Sequence, residues 1–143
     1  MARSFMPEVK DWIAKAISDL KSSKKLMTGD DETLDTAAYH TQQTAEKALK
    51  AYLFFKQQTV PKTHDLPRLL EYCVKYDSTF KHLQKDAEIL TVYVTYARYP
   101  DDRFNVERQE VIEAIKMAEK ILKFVQTKIE PTGKNPQLTL FDS

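Results

Sequence analysis

Apolar residues recur every three or four positions through most of this chain, and polar residues fill the gaps between them. That is the period of α-helices packed along one side. From about Pro7 to Met27 the stripe is Val9, Trp12, Ile13, Ala16, Ile17, Leu20 and Met27, with Pro7 suited to a first helical turn and Gly29 to an end. From about Asp35 to Gln58 it is Ala38, Thr41, Ala45, Ala48, Leu49, Tyr52 and Phe55, and its small members would let a neighbouring helix come close. The same segment carries a second row at the same period: His40, Gln43, Lys47 and Lys50. In VPKTHDLPRLLEYCVKY, Thr63 or Asp65 can cap a short helix with the apolar face Leu66, Leu69, Leu70, Cys73 and Val74. A fourth helix is expected from about Phe80 to Arg98, with Leu83, Ala87, Leu90, Val94 and Ala97 in one row. Ile89, Val92, Tyr93 and Tyr96 widen that row, which predicts burial on more than one side. Pro100 disfavours helical geometry at Tyr99 and ends it. A fifth helix runs from about Val106 to Ile129 on Val111, Ile115, Ala118, Leu122, Val125 and Ile129.

Short connections set consecutive helices antiparallel. The pattern therefore predicts an all-α, up-and-down bundle of four long helices and one short one over residues 1–130. Residues 131–143 are expected to form a flexible tail, with PTGKNP as its linker. A chain of 143 residues fits one domain, and at that size roughly 68–70% of the unfolded surface can be buried. With 42% hydrophobic and 30% charged residues, disorder of the whole chain is excluded. The only glycines, Gly29 and Gly133, are too few for a turn-rich β domain and exclude a glycine-rich phosphate loop. A net charge of +1 makes no case for a polyanion binder held mainly by phosphate neutralisation. The single cysteine, Cys73, excludes an intrachain disulfide and a cysteine zinc site, and its place on an apolar face makes it a packing residue. No run approaches the ~20 apolar residues of a membrane span, and the N-terminus lacks a signal-peptide core. A cytoplasmic protein without membrane association is the expectation.

Catalytic groups are sparse. The histidines are His40, His64 and His82, and no two stand four residues apart on a helix as a zinc motif requires. Neither a nucleophile–histidine arrangement nor any cofactor motif is present. The row His40, Gln43, Lys47 and Lys50 reads either as a solvated helix face or as a surface that contacts phosphate and base edges. His64, in THD, is a turn residue beside a cap and a weaker candidate. At the end of the fourth helix, TYARYPDDRFN crowds Arg98, Tyr99, Asp101, Asp102 and Arg103 into one bend. A cation at a helix C-terminus is favoured by ~0.3–1 kcal/mol, and Asp101 or Asp102 can pair with Arg98. A helix stop needs no such crowding, so the bend is the second candidate ligand site.

Taken together and in order, YHTQQTAEKALKAYL, KTHDLPRLLEY, and YARYPDD leading into a long helix ending AEKILKFV resemble the HEPN family of small bacterial and archaeal helical proteins. The resemblance covers roughly Val9 to Ile129. It implies an up-and-down bundle that commonly forms a homodimer. Members are often encoded beside a minimal nucleotidyltransferase and were proposed to bind nucleotides or that enzyme's substrates. A large subset are metal-independent ribonucleases, many of them toxins, with an arginine followed four to six residues later by a histidine. Arg98 matches that arginine, but Arg103, Phe104 and Asn105 stand where the histidine would be. None of these three side chains shuttles protons near neutral pH. The chain instead resembles the RYPDD-type branch. The resemblance thus implies binding of nucleotide or RNA, with a nucleotidyltransferase as partner and no catalytic residue. The alternative it leaves is a ribonuclease whose base is displaced to His40 or His64. In the tail, QLTLF resembles the peptide by which bacterial replication and repair proteins dock on the sliding clamp, through Gln137, Leu138, Leu140 and Phe141. That implies a clamp-tethered accessory factor, unless the tail folds back on its own bundle.

Overall fold

The computed structural model describes residues 7–28, 33–98 and 105–129, and every regular element among them is helical. The elements are α1 (Pro7–Lys25), α2 (Leu34–Phe55), α3 (Leu66–Tyr76), a 3-10 segment (Ser78–Leu83), α4 (Gln84–Leu90), α5 (Tyr93–Arg98) and α6 (Arg108–Ile129). None of the described helices is long and apolar enough to cross a membrane.

The centre of the molecule is α2, which packs against α1, α3, α4, α5 and α6. Its alanines make this packing feasible: Ala37, Ala38, Ala45, Ala48 and Ala51 are all fully buried, so neighbouring backbones approach on several sides. The helix ends where Gln57 turns left-handed at φ 59°. There Gln57 N donates to Phe54 O at 2.8 Å and Gln58 N to Leu53 O at 3.0 Å, the paired bonds of a Schellman end.

Cross-helix contacts fix the directions. Ser23 Oγ donates to Ala37 O at 2.7 Å near the start of α2, while Trp12 stacks on Phe54 near its end, so α1 and α2 are antiparallel. Phe80 meets Tyr52 and Phe124 at one end of the bundle, and Tyr93 Oη donates to Glu110 at the other. The four long rods are α1, α2, the 3-10–α4–α5 run, and α6, and they therefore alternate up, down, up, down. The short α3 is inserted alongside α2 in the same sense: His64 meets Gln42 and Glu46, and Cys73 meets Leu49. The connection between Lys56 and Asp65 doubles back to allow this. Asp65 is the cap of α3, accepting from Arg68 N at 3.2 Å, and Thr63 Oγ1 accepts from Asp65 N.

The fourth rod departs from the uniform helix expected between Phe80 and Arg98. It opens as the 3-10 turn and breaks again at Thr91 and Val92, between α4 and α5. The second break is shallow, because Thr91 keeps helical dihedrals of −63° and −24°. At this break the Thr91 hydroxyl accepts from Leu66 N at 3.0 Å at the start of α3. Tyr93 is buried as expected, but Ile89 and Val92 are 36% and 43% exposed, so this rod is not covered all round.

Asp77 ties two elements at the far end. It caps the 3-10 segment through Thr79 and pairs with Lys128 of α6 at 2.8 Å. The hydrogen bonds from Lys128 and Thr79 hold its carboxyl down at about 2, against a smaller opposing effect of burial. Its ordinary value lies near ~4, so the stability it contributes is complete above that pH and is lost as pH falls through about 2. Asp77→Asn is expected to flatten the fall in urea midpoint across this acid window. A slope identical to that of the parent would contradict the assignment.

Candidate functional site

His40, Gln43, Lys47 and Lys50 do share one face of α2, but that face is only partly solvated, with His40 and Lys47 half-buried. α1 lies over it, leaving Gln43 9% and Lys50 8% exposed. Two carboxylates that the polar row did not include organise it: Asp19 from α1 and Glu46 from α2 itself.

Asp19 Oδ1 lies 2.7 Å from His40 Nδ1, and its Oδ2 lies 2.6 Å from Lys47 Nζ. Glu46 repeats the arrangement, with Oε1 2.9 Å from His64 Nδ1 and Oε2 2.9 Å from Lys50 Nζ. Each carboxylate thus holds one imidazole and one ammonium. Fully buried Gln42 completes the second cluster, donating through Nε2 to Glu46 Oε1 and to the His64 carbonyl, both at 3.1 Å. Gln43 Nε2 in turn donates to Gln42 Oε1 at 2.6 Å. Burial pushes the Glu46 carboxyl up, but the hydrogen bonds from His64, Lys50 and Gln42 and the charge of Lys50 outweigh it, so the group sits below its ordinary value.

The chemistry of these clusters follows from the donor inventory. An ionised carboxylate only accepts, so each imidazole donates through Nδ1 and keeps Nε2 as its second working atom. Each lysine spends one of three N–H donors on its carboxylate. The lysine charges are offset locally, which suits orientation of a small polar ligand better than attraction of a long polyanion.

Beside these clusters a cleft of ≈ 320 Å³ is lined by Glu8, Asp11, Trp12 and Lys15 of α1 and by Lys47 of α2. Lys47 therefore belongs to both the cleft and the Asp19 cluster. Lys50 Nζ sits 5.7 Å from the centre of the Trp12 ring, which links the Glu46 cluster to the same region. Glu8, Asp11 and Lys15 are exposed, so water satisfies them where no hydrogen-bond or ion-pair partner among the described residues does. Helical periodicity read Trp12 only as part of the apolar stripe. The signal for a site was the mixed-charge row Glu8, Asp11, Lys15 and Asp19, at spacings of three, four and four beside Trp12.

The second predicted site is only partly visible. Arg98 closes α5, which packs on α2. The Arg98 side chain, with Tyr99, Asp101, Asp102 and Arg103, lies outside the described residues, as do Gln137, Leu138, Leu140 and Phe141. Among the described hydrogen bonds, neither His40 nor His64 reaches α5 through its ring. His82 lies elsewhere, against Phe124, with Nδ1 on the Thr79 carbonyl. Cys73 is fully buried, and burial pushes its thiol up to about 12, as befits a packing residue.

The fold recurs in solved structures. TT1696 from Thermus thermophilus superposes with a TM-score of 0.72 at 29% identity, over 86% of this chain and 99% of that one. ST0689, titled an archaeal HEPN homologue, superposes with a TM-score of 0.68 at 28% identity, over 87% of this chain and 99% of the other. A comparison with curated proteins finds no significant match. The HEPN domain family model matches residues 9–129, the span that carries both carboxylate clusters and every described helix from Val9 onward, and the chain belongs to the HEPN domain family.

Proposed function

We propose that this chain is a HEPN binding module that holds a nucleotide, free or within a nucleic acid, on its α1–α2 face and serves a nucleotidyltransferase partner. The observation behind it is the pair of carboxylate-anchored imidazole–ammonium sets beside a cleft that also contains Trp12 and Lys15, the latter unpaired among the described residues. Anchored lysines and imidazoles present phosphate donors at fixed positions, and an indole offers an apolar wall for a base. The partner, the homodimer and the contribution of the Arg98 bend are supported by the family resemblance. Binding without cleavage is supported by the residues Arg103, Phe104 and Asn105, none of which is a histidine.

Trp12 is the sole tryptophan, so its emission reports on the cleft directly. Titration with nucleoside mono- and triphosphates is expected to change that emission saturably and to release or absorb heat at the same midpoint. Lys47→Gln, checked for folding by its thermal melt, should weaken binding by about tenfold or more, the loss of a charge-assisted hydrogen bond. No response to any nucleotide at millimolar concentration would overturn the reading. Metal-independent RNA cleavage that is lost in Arg98→Ala would replace it with the ribonuclease reading.

A further inference from the structure

We infer, independently of the nucleotide reading, that His64 is a nucleophilic histidine that accepts a phosphoryl group at Nε2 from an acyl phosphate or phosphoramidate donor. Buried polar groups of α2 converge on this one surface ring. The Glu46 side chain is only 5% exposed and holds His64 Nδ1 at 2.9 Å. Fully buried Gln42 holds the His64 backbone carbonyl at 3.1 Å, and buried Lys50 occupies the other oxygen of Glu46. The His64 side chain itself is 50% exposed. Because its Nδ1 edge faces the buried carboxylate, the exposed half is the Nε2 side. A buried ion pair is weak support for stability, since apolar side chains of similar volume do as well. Here the buried pair leads outward to a ring in contact with solvent, the position of a reactive group and not of a core one.

The other two histidines lack one half of this arrangement. His40 has a carboxylate behind Nδ1, that of Asp19, but its side chain is 25% exposed, half as open as that of His64. His82 is exposed, but its Nδ1 meets the neutral Thr79 carbonyl. His64 combines a half-exposed ring with a buried carboxylate. Burial pushes the Glu46 carboxyl up, but the hydrogen bonds from His64, Lys50 and Gln42 outweigh it, so the group stays ionised at neutral pH. An ionised carboxylate only accepts, so Nδ1 of the neutral ring carries the proton and Nε2 keeps its lone pair.

That lone pair attacks phosphorus, and a P–N bond forms as the donor's bond to its leaving group breaks. The leaving group departs as a carboxylate from an acyl phosphate, or as ammonia from protonated phosphoramidate. The ring becomes a phosphorylated imidazolium, whose positive charge lies against Glu46 through the Nδ1–H bond. A carboxylate in this place fixes the tautomer and stabilises the cation that forms. Glu46 is therefore a positioning residue, and Gln42 and Lys50 hold it in turn. A phosphoryl group on imidazole is itself labile, so the donor must carry a bond at least as reactive. Acyl phosphates and phosphoramidates meet that condition, and simple phosphate esters do not.

The test treats the full-length protein with acetyl phosphate and, separately, with potassium phosphoramidate. Tandem mass spectrometry follows each histidine, and phosphorus NMR identifies the nitrogen that is modified. His64 is expected to be labelled at Nε2 about tenfold or more faster than His82, the contribution of one charge-assisted hydrogen bond to the forming cation. His82 serves as the control within the same molecule, since its Nδ1 is also engaged but by a neutral acceptor. In a Glu46→Leu, Lys50→Met variant whose fold is checked by its thermal melt, the His64 rate should fall to that of His82. A His64 rate no greater than that of His82 in the parent protein would overturn the inference, whatever the variant does. Labelling at Nδ1, or an undiminished rate in the folded double variant, would overturn it as well.

Discussion

Glu46→Ala is expected to lower the unfolding free energy by about 3–5 kcal/mol, read from urea unfolding with an unchanged m-value. Glu46 is 4% exposed and accepts from Lys50, His64 and Gln42. Its removal leaves the Lys50 ammonium buried without its carboxylate and takes one of two acceptors from the Gln42 amide, which is wholly inaccessible to water and keeps the His64 carbonyl. The cost arises from the orphaned groups, not from any large net gain of the pair. Glu46→Leu combined with Lys50→Met should therefore recover most of the loss, since apolar replacement of a buried pair is often close to neutral. A loss below about 1 kcal/mol for the alanine variant would place the pair with ordinary surface ion pairs. The sign with pH is fixed as well. The Glu46 carboxyl sits below its ordinary value, so its contribution is complete above the usual carboxylate range and disappears as pH falls below it.

Phe80→Ala is expected to cost about 3–5 kcal/mol for a different reason. Phe80 is fully buried in the 3-10 segment, with its ring 4.5 Å from that of Tyr52 and 4.9 Å, edge on, from that of Phe124. One side chain thus joins the start of the fourth rod to α2 and α6. Truncation removes both aromatic contacts and leaves a cavity that three separate elements would have to move to fill. Phe80→Leu, which keeps most of the volume, should cost roughly half as much or less. Equal losses for the two variants would show that the ring contacts, and not the filled volume, dominate at this position.

The helices were legible because burial imposes a period. Val111, Ala118, Leu122, Val125 and Ile129 fall on the buried side of α6 as their spacing requires, and so do Leu66, Leu69, Leu70 and Cys73 of α3. The breaks in the fourth rod were not legible. Thr91 is compatible with a helix, and its hydroxyl accepts at the break from Leu66 N, twenty-five residues away, a contact that no local pattern encodes. Polar burial was illegible for the same reason. His40, Gln43, Lys47 and Lys50 have the spacing of an outer face, and only the approach of α1, bringing Asp19, half-buries His40 and Lys47 beside the buried Gln43 and Lys50. One local signal was available, the Glu46–Lys50 spacing of four, which favours an ion pair on any helix. His64 needed the return of the Lys56–Asp65 connection to meet Glu46, a long-range event that no local pattern encodes.

Because α2 packs against five other helices, the amide protons of its buried middle turns have no local route to solvent. Exchange at Ala45, Ala48, Leu49 and Leu53 should require global unfolding, so their protection factors ought to equal the unfolding free energy of the whole molecule. The first turns of α1 have solvent on one side and should exchange sooner, so the cleft would join a stable wall to a more yielding one. A ligand that bridges the two would then slow deuterium uptake on α2 as well as on α1, because it lowers the globally unfolded population through which α2 exchanges.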